Sequence, residues 1–274
     1  MDAVLQRLGI ELNYTQEFLI VALILGRTMP MIVLTPFMGG KILPPELKMG
    51  MGVMLTILVW PLARQAITVD MPVSAVPFLL LMLKEVFIGF TVGFVNAHIF
   101  WAMEMAGRII DTVRGSSMAE VMVPHTGQRA TPFGQLYYQF MLVIFVAIGG
   151  HHIFIEAYFY SFTSLPIHEH IAFGTAAIEP FFDTMARMTA EILFIGVILS
   201  APIVAATLIS DIVFGILNRV APQLNAYFMS MPVKAMGGVI MALIIMEPFV
   251  ERLYYYSEWA LEAVGSAIEL LSRS

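Results

Sequence analysis

WAMEMAGRIIDTVRGSSMAEVMVPHTGQR, residues Trp101–Arg129, sets a charged, glycine-bearing interruption between long apolar runs. If the preceding helix continues into it, Glu104, Arg108 and Asp111 fall at i, i+4 and i+7, so they share a face and Arg108 can meet an acid on either side. Past Asp111 the pattern changes. Gly115, Ser116 and Ser117 weaken a helix, and Pro124 and Gly127 oppose a long continuation, so about 115–129 reads as a loop. A structureless loop of that length is uncommon unless it has a function.

Outward from this stretch the composition is that of a membrane protein. Of 274 residues, 59% are hydrophobic and 12% charged, with a mean hydropathy of +0.85. Soluble domains run nearer 45–50% apolar and about 25% charged. A net charge of −6 without a dense Lys/Arg run argues against nucleic acid. With no cysteine, disulfides, thiolate chemistry and cysteine-based metal sites are excluded. Asp2, Arg7, Glu11 and Glu17 precede the first apolar run, which is not the form of a cleavable signal peptide.

Six apolar runs cover roughly 18–38, 49–63, 76–103, 133–163, 188–217 and 235–250, against about 20 residues for a span. Arg27, Lys84, Glu85, Glu156, Glu191 and Asp211 lie in or near them, and Pro30, Pro36 and Pro202 interrupt them. Charge and broken backbone at membrane depth need shelter, which predicts a subunit wrapped in other protein. Lys84 and Glu85 are adjacent, so on a helix they are expected to diverge and take separate partners. Gly89, Gly93 and Ala97 form a small-xxx-small ridge whose ordinary use is close helix packing. Gly149-Gly150 and Gly237-Gly238 are further places for close approach or bending. Seven basic residues follow the odd-numbered runs (Lys41, Lys48, Arg108, Arg114, Arg129, Arg219, Lys234) and five lie on the other side (Arg7, Arg64, Arg187, Arg252, Arg273). Positive-inside puts the former in the cytoplasm and both termini outside, unless the fifth run folds back at Pro202.

Motifs for chemistry are lacking. His151, His152 and Glu156 do not converge at helical spacing, His168-Glu169-His170 reads as a solvated connection, and no nucleotide loop or nucleophile elbow occurs. An enzyme is not expected, nor a cofactor or metal. Most of the 21 methionines are apolar filling, but Met118 and Met122 on the central loop could re-pack as a deformable seal. The second polar landmark is DIVFGILNRVAPQLNAYFMSMPVK, Asp211–Lys234. Asp211, Asn218, Arg219, Gln223, Asn225 and Lys234 stand there among apolar flanks and read as a partner-contact surface.

At these two landmarks the chain resembles the FliR/SctT family of export-apparatus membrane proteins from flagellar and type III secretion systems. The resemblance is carried by FWAMEMAGRIIDTVRGSSMAEVMVP (Phe100–Pro124), Gly149-Gly150-His151, Ser161, Pro166, the Asp211–Lys234 segment and the opening RTMPMIVLTPFMGGKILPPELK, and so covers nearly the whole length. Arg114-Gly115 favours the injectisome branch. The resemblance implies an all-α, polytopic, Pro/Gly-broken helical subunit of a hetero-oligomeric ring in the bacterial inner membrane. It implies a FliP/SctR-like part over 1–186 and a FliQ/SctS-like hairpin over 187–274. Its implied partners are FliP/SctR-like and FliQ/SctS-like subunits, an FlhB/SctU-like switch protein, unfolded substrates in transit and the lipid membrane. It also implies that the central loop is a plug in the lumen: Gly115, Ser116, Ser117, Met118, Ala119, Glu120, Val121, Met122, Val123 and Pro124. Glu104, Arg108, Asp111 and Arg114 are expected to form a buried polar network in which loss of Arg108 is more damaging than Asp111→Asn. The competing class is an ion-coupled small-solute transporter with Lys84, Glu85, Glu156, Glu191 and Asp211 along its path; no inverted repeat supports it.

Overall fold

The computed structural model describes residues 14–38, 40, 43–67, 71–115, 121–122, 129–169, 175–223 and 225–272. Among them are eight α-helices: α1 (Tyr14–Leu34), α2 (Pro45–Ala66), α3 (Ala75–Val113), α4 (Pro132–Ala147), α5 (Gly150–Ser164), α6 (Thr175–Val220), α7 (Ala226–Ile244) and α8 (Met246–Ser272). Two two-residue strands, β1 (Val121–Met122) and β2 (Arg129–Ala130), pair antiparallel between α3 and α4. The all-α, polytopic reading holds. Among the described residues four helices are long and apolar enough to cross a membrane, and up to six spans result if the bent pairs α4–α5 and α7–α8 each count once.

Local signals explain the boundaries. Pro45 and Pro132 open α2 and α4 at a position where a missing N–H costs nothing. Gly149, at φ +79°, makes the turn between α4 and α5. The interruption expected at Pro202 is not there: α6 continues through it, which removes the fold-back alternative. A proline deletes one N–H bond, and 46 residues of helix hold the remainder in register.

The chain divides into two compact units, one of residues 1–95, 153–182 and 263–274, the other of 96–152 and 183–262. In the first, α1 packs on α2 and on the N-terminal part of α3. The ridge on α3 is used as its spacing suggests: a Cβ on Gly89 would overlap the Arg27 carbonyl, and one on Gly93 would lie 3.0 Å from the Met31 oxygen. Arg27 and Met31 are also four apart, so two matched stripes bring the backbones together.

That approach carries Arg27 to Glu85, one turn before Gly89. The guanidinium grips Glu85 with two nitrogens, at 2.5 and 3.1 Å, and donates to the carbonyls of Ser161 (2.6 Å) and Leu165 (2.7 Å) at the end of α5. Phe162 lies under it at 4.2 Å. The expectation for Lys84 and Glu85 needs correcting. Lys84 Nζ is 2.7 Å from Glu85 Oε1, because a four-carbon stem can curl back along the helix, and it also donates to the carbonyls of Pro166 and Glu169, both at 2.8 Å. Two cations are thus balanced by one carboxylate and the negative, carbonyl-rich end of α5. Arg27 and Glu85 are 1% and 0% exposed, so removing either would strand a buried charge.

In the second unit α3 meets the start of α4 through Gly107, where a Cβ would overlap the Phe133 carbonyl and the Gly134 nitrogen. Ring pairs Phe100–Phe145 (5.3 Å) and Tyr137–Phe249 (4.4 Å) fill the interior. Along α6, Leu193, Phe194, Val197, Leu208, Ile209, Ile212, Val213 and Ile216 are all more than half exposed, an apolar surface suited to lipid or to other subunits.

Candidate functional site: the neck of the central loop

The second unit gathers its buried charges where the central loop leaves α3 and enters α4. Asp111 lies one turn beyond Gly107 on the face that touches α4, and is wholly buried. Its Oδ2 accepts from the backbone nitrogens of Phe133 (2.7 Å) and Gly134 (3.3 Å). Thr131, at the N-cap position of α4, makes no side-chain cap. Asp111 therefore caps α4 from another helix, where orphan N–H groups and the positive end of the dipole favour an anion.

Arg114, 7% exposed, completes the neck. Its Nη1 is 3.9 Å from Asp111 Oδ1, its guanidinium lies 4.5 Å above the Phe133 ring, and it donates to the carbonyls of Ala235 (2.5 Å) and Lys234 (3.5 Å) on α7. Gly238 makes room, since a Cβ there would overlap Arg114 Nε and Cδ. Burial lowers the Arg114 pKa from its ordinary value, and the Asp111 charge opposes that shift; the group stays cationic. Lys234 in turn pairs with Asp211 on α6. One chain of contacts so links α3, α4, α7 and α6 at the base of the loop.

The four residues expected to form one buried network divide in two. Arg108 pairs with Glu104 at 2.5 Å, as the i, i+4 spacing predicts, but their side chains are 54% and 28% exposed. Asp111 does not join them, because its carboxylate is held by the N-terminus of α4. The expected ranking of Arg108 above Asp111 is thereby reversed, since an exposed pair is worth far less than a buried one.

Of the loop residues, Gly115 follows α3 at φ +76°, and among the described residues nothing lies within 4 Å of where a Cβ would be. Val121 and Met122 are in β1, in register with Ala130 and Arg129. Ser116, Ser117, Met118, Ala119, Glu120, Val123 and Pro124 lie outside the described residues. In the second landmark Asn218, Arg219, Gln223 and Asn225 are exposed on the single chain, and the Asn225 side chain accepts from Phe228 N at 3.5 Å to cap α7. Among the described residues no group of His, Asp and Glu could hold a metal ion.

Sequence reasoning missed the assembly around Arg27. Its signal was present: three charges on two apolar runs that had to find partners.

Residues 18–258 match the family described as bacterial export proteins, family 1. The chain is 30% identical over 227 residues to the Yop proteins translocation protein T of Yersinia pestis, covering 82% of this chain and 85% of that one. It is 28% identical over 227 residues to the flagellar biosynthetic protein FliR of Bacillus subtilis, with the same coverage. Over 176 residues, 64% of this chain and 65% of the other, it is 32% identical to the secretion system apparatus protein SsaT of Salmonella typhimurium. Matches of this extent, on a chain with this many membrane-length helices, decide the matter: it belongs to the FliR/SctT family of bacterial export proteins, as a multi-pass inner-membrane subunit of a secretion apparatus.

Proposed function

We propose that the chain is a structural, non-enzymatic subunit of a type III secretion export gate. It helps to form the protein-conducting channel, and Gly115–Pro124 acts as a plug across the conduit. The observation that carries this reading is the neck: the buried Asp111–Arg114 pair joins both roots of the loop, while Gly115 beside it takes a positive φ with no described atom within 4 Å of where a Cβ would be. A seal that must be displaced by cargo needs firm roots. Residues 1–186 serve as the FliP/SctR-like part and 187–274 as the FliQ/SctS-like part. Subunits of those two kinds and an FlhB/SctU-like protein are the partners. The exposed Asn218, Arg219, Gln223 and Asn225 supply a contact surface for them. Relatives named for translocation, a secretion system and surface presentation favour the injectisome branch. The transporter reading loses support because Glu85 is engaged with both Arg27 and Lys84, and Asp211 with Lys234.

Deleting Ser117–Met122 tests the plug. Cells carrying the assembled complex should then leak ions and small solutes, with complex recovery unchanged. A tight membrane around a fully assembled deletion complex would show the loop to be only a connection.

A further inference from the structure

Between α1 and α2 the first unit carries a groove of about 430 Å³ that the export reading does not use. The two helices are pinned at both ends. At one end a Cβ on Gly52 would meet the Met29 sulfur and lie 3.7 Å from Ile32 Cδ1. At the other, Glu17 accepts from Trp60 Nε1 (3.1 Å) and from Arg64 Nε (3.0 Å). Between the pins Val21 and Leu25 face Val53, Thr56 and Ile57 across the gap. Thr56 gives the groove no polar character, because its hydroxyl donates to the Gly52 carbonyl at 2.8 Å.

The mouth has the composition of a membrane interface. Tyr14 and Trp60 line it beside the Glu17–Arg64 pair, at the first turn of α1 and the last turns of α2. Aromatic and cationic residues at helix ends collect at headgroup depth. From Tyr14 to Leu25 the groove descends about 16 Å at 1.5 Å per residue, which is half of a hydrocarbon core of about 30 Å. It therefore has the depth of one leaflet. Arg64 keeps 48% of its side chain exposed and Glu17 keeps 19%, so the mouth offers a cation and an anion side by side.

We infer that the α1–α2 groove binds one zwitterionic phospholipid. An acyl chain lies along Val21, Leu25, Val53 and Ile57, the phosphate meets Arg64, and the ammonium of an ethanolamine headgroup meets Glu17. Two opposite charges at the mouth complement a headgroup that itself carries both signs, and the aromatic rim and one-leaflet depth of the groove suit a lipid. The proposal rests on the membrane setting alone and is independent of the plug.

The test uses the full chain in vesicles of phosphatidylethanolamine and phosphatidylglycerol, doped with a phosphatidylethanolamine that carries a diazirine halfway along one acyl chain. After photolysis, adducts should concentrate on peptides holding Val21, Leu25, Val53 and Ile57 rather than on the exposed Phe194 and Ile212 of α6. Filling the groove with Val21→Trp should lower groove adducts about tenfold, the ratio that defines a clear loss of affinity. Ile57→Trp, at a position 66% exposed, repeats the test where misfolding is no concern. A diazirine phosphatidylglycerol should label the groove less than the ethanolamine probe. Equal labelling of groove and α6, or groove labelling indifferent to both tryptophans, overturns the inference. So does a Val21→Cys chain that, in the intact export complex, crosslinks to another subunit while groove labelling by the lipid probe vanishes.

Discussion

Replacing Asp111 by alanine should damage this chain more than replacing Arg108, although Arg108 is the more conspicuous charge in the sequence. Asp111→Ala removes the acceptor of two buried N–H groups at the start of α4 and leaves Arg114 without its carboxylate. Breaking a buried pair from one side costs about 3–5 kcal/mol. Two lost charge-assisted hydrogen bonds, at about 1.5–3 kcal/mol each, lead to the same range rather than adding to it. Against a total stability of about 5–15 kcal/mol this is a large fraction. Asp111→Asn keeps one acceptor and should cost about 1–3 kcal/mol. Arg108→Ala loses an exposed i, i+4 pair worth about 0.2–1 kcal/mol. The assay is the thermal midpoint of the full chain in detergent, followed by tryptophan fluorescence, with membrane accumulation measured in parallel. At roughly 2–3 °C per kcal/mol, Asp111→Ala should fall by roughly 10 °C and Arg108→Ala by no more than about 3 °C. Equal losses for the two would refute the assignment of Asp111 as the cap of α4.

Arg27→Ala should lower membrane accumulation severely, and Arg27→Lys should rescue it only in part, because an ammonium cannot grip Glu85 with two nitrogens while reaching both Ser161 and Leu165. Quantitative immunoblotting of membranes reads both. Gly89→Ala should destabilise the first unit, since its Cβ meets the Arg27 backbone, whereas Gly215→Ala, with nothing within 4 Å, should be neutral or stabilising by about 0.5–1 kcal/mol. Thermal midpoints that fail to separate the two glycines would count against the close α1–α3 contact. Asn218→Ala combined with Arg219→Ala should leave the isolated chain's midpoint unchanged, both residues being exposed, while reducing recovery of the export complex in a pull-down. Undiminished recovery would remove the contact role.

What could be read from the sequence was whatever depends on neighbours along it. Helix-length apolar runs, the Glu104–Arg108 pair, the Gly89–Gly93 stripe and the end of α3 near Gly115 follow from spacing and propensity alone. What could not be read depends on partners brought from afar. Nothing near Asp111 shows that its Oδ2 belongs to nitrogens 22 and 23 residues on, so the shared helix face suggested Arg108 instead. The Arg27–Glu85 contact spans 58 residues, and its pairing rests on two helices meeting through small residues whose partner face the sequence does not name. Lys84 misled because helical wheels place Cα–Cβ directions, whereas a lysine ammonium is four carbons away from that point.

The short ladder between Val121–Met122 and Ala130–Arg129 sets a tether length. While it is intact, the segment from Val121 onward is held within one strand spacing, about 4.8 Å, of the residues that lead into α4. Two paired residues make a weak fastening, since even a full hairpin alone is marginal in water. The 16 residues from Gly115 to Ala130 have a contour length of about 50 Å at 3.3 Å per residue, or two halves of about 25 Å. A passing helix measures about 10–12 Å across with its side chains. On the proposed plug reading, that contour length exceeds the width of a passing helix, with Asp111 and Arg114 at its two roots.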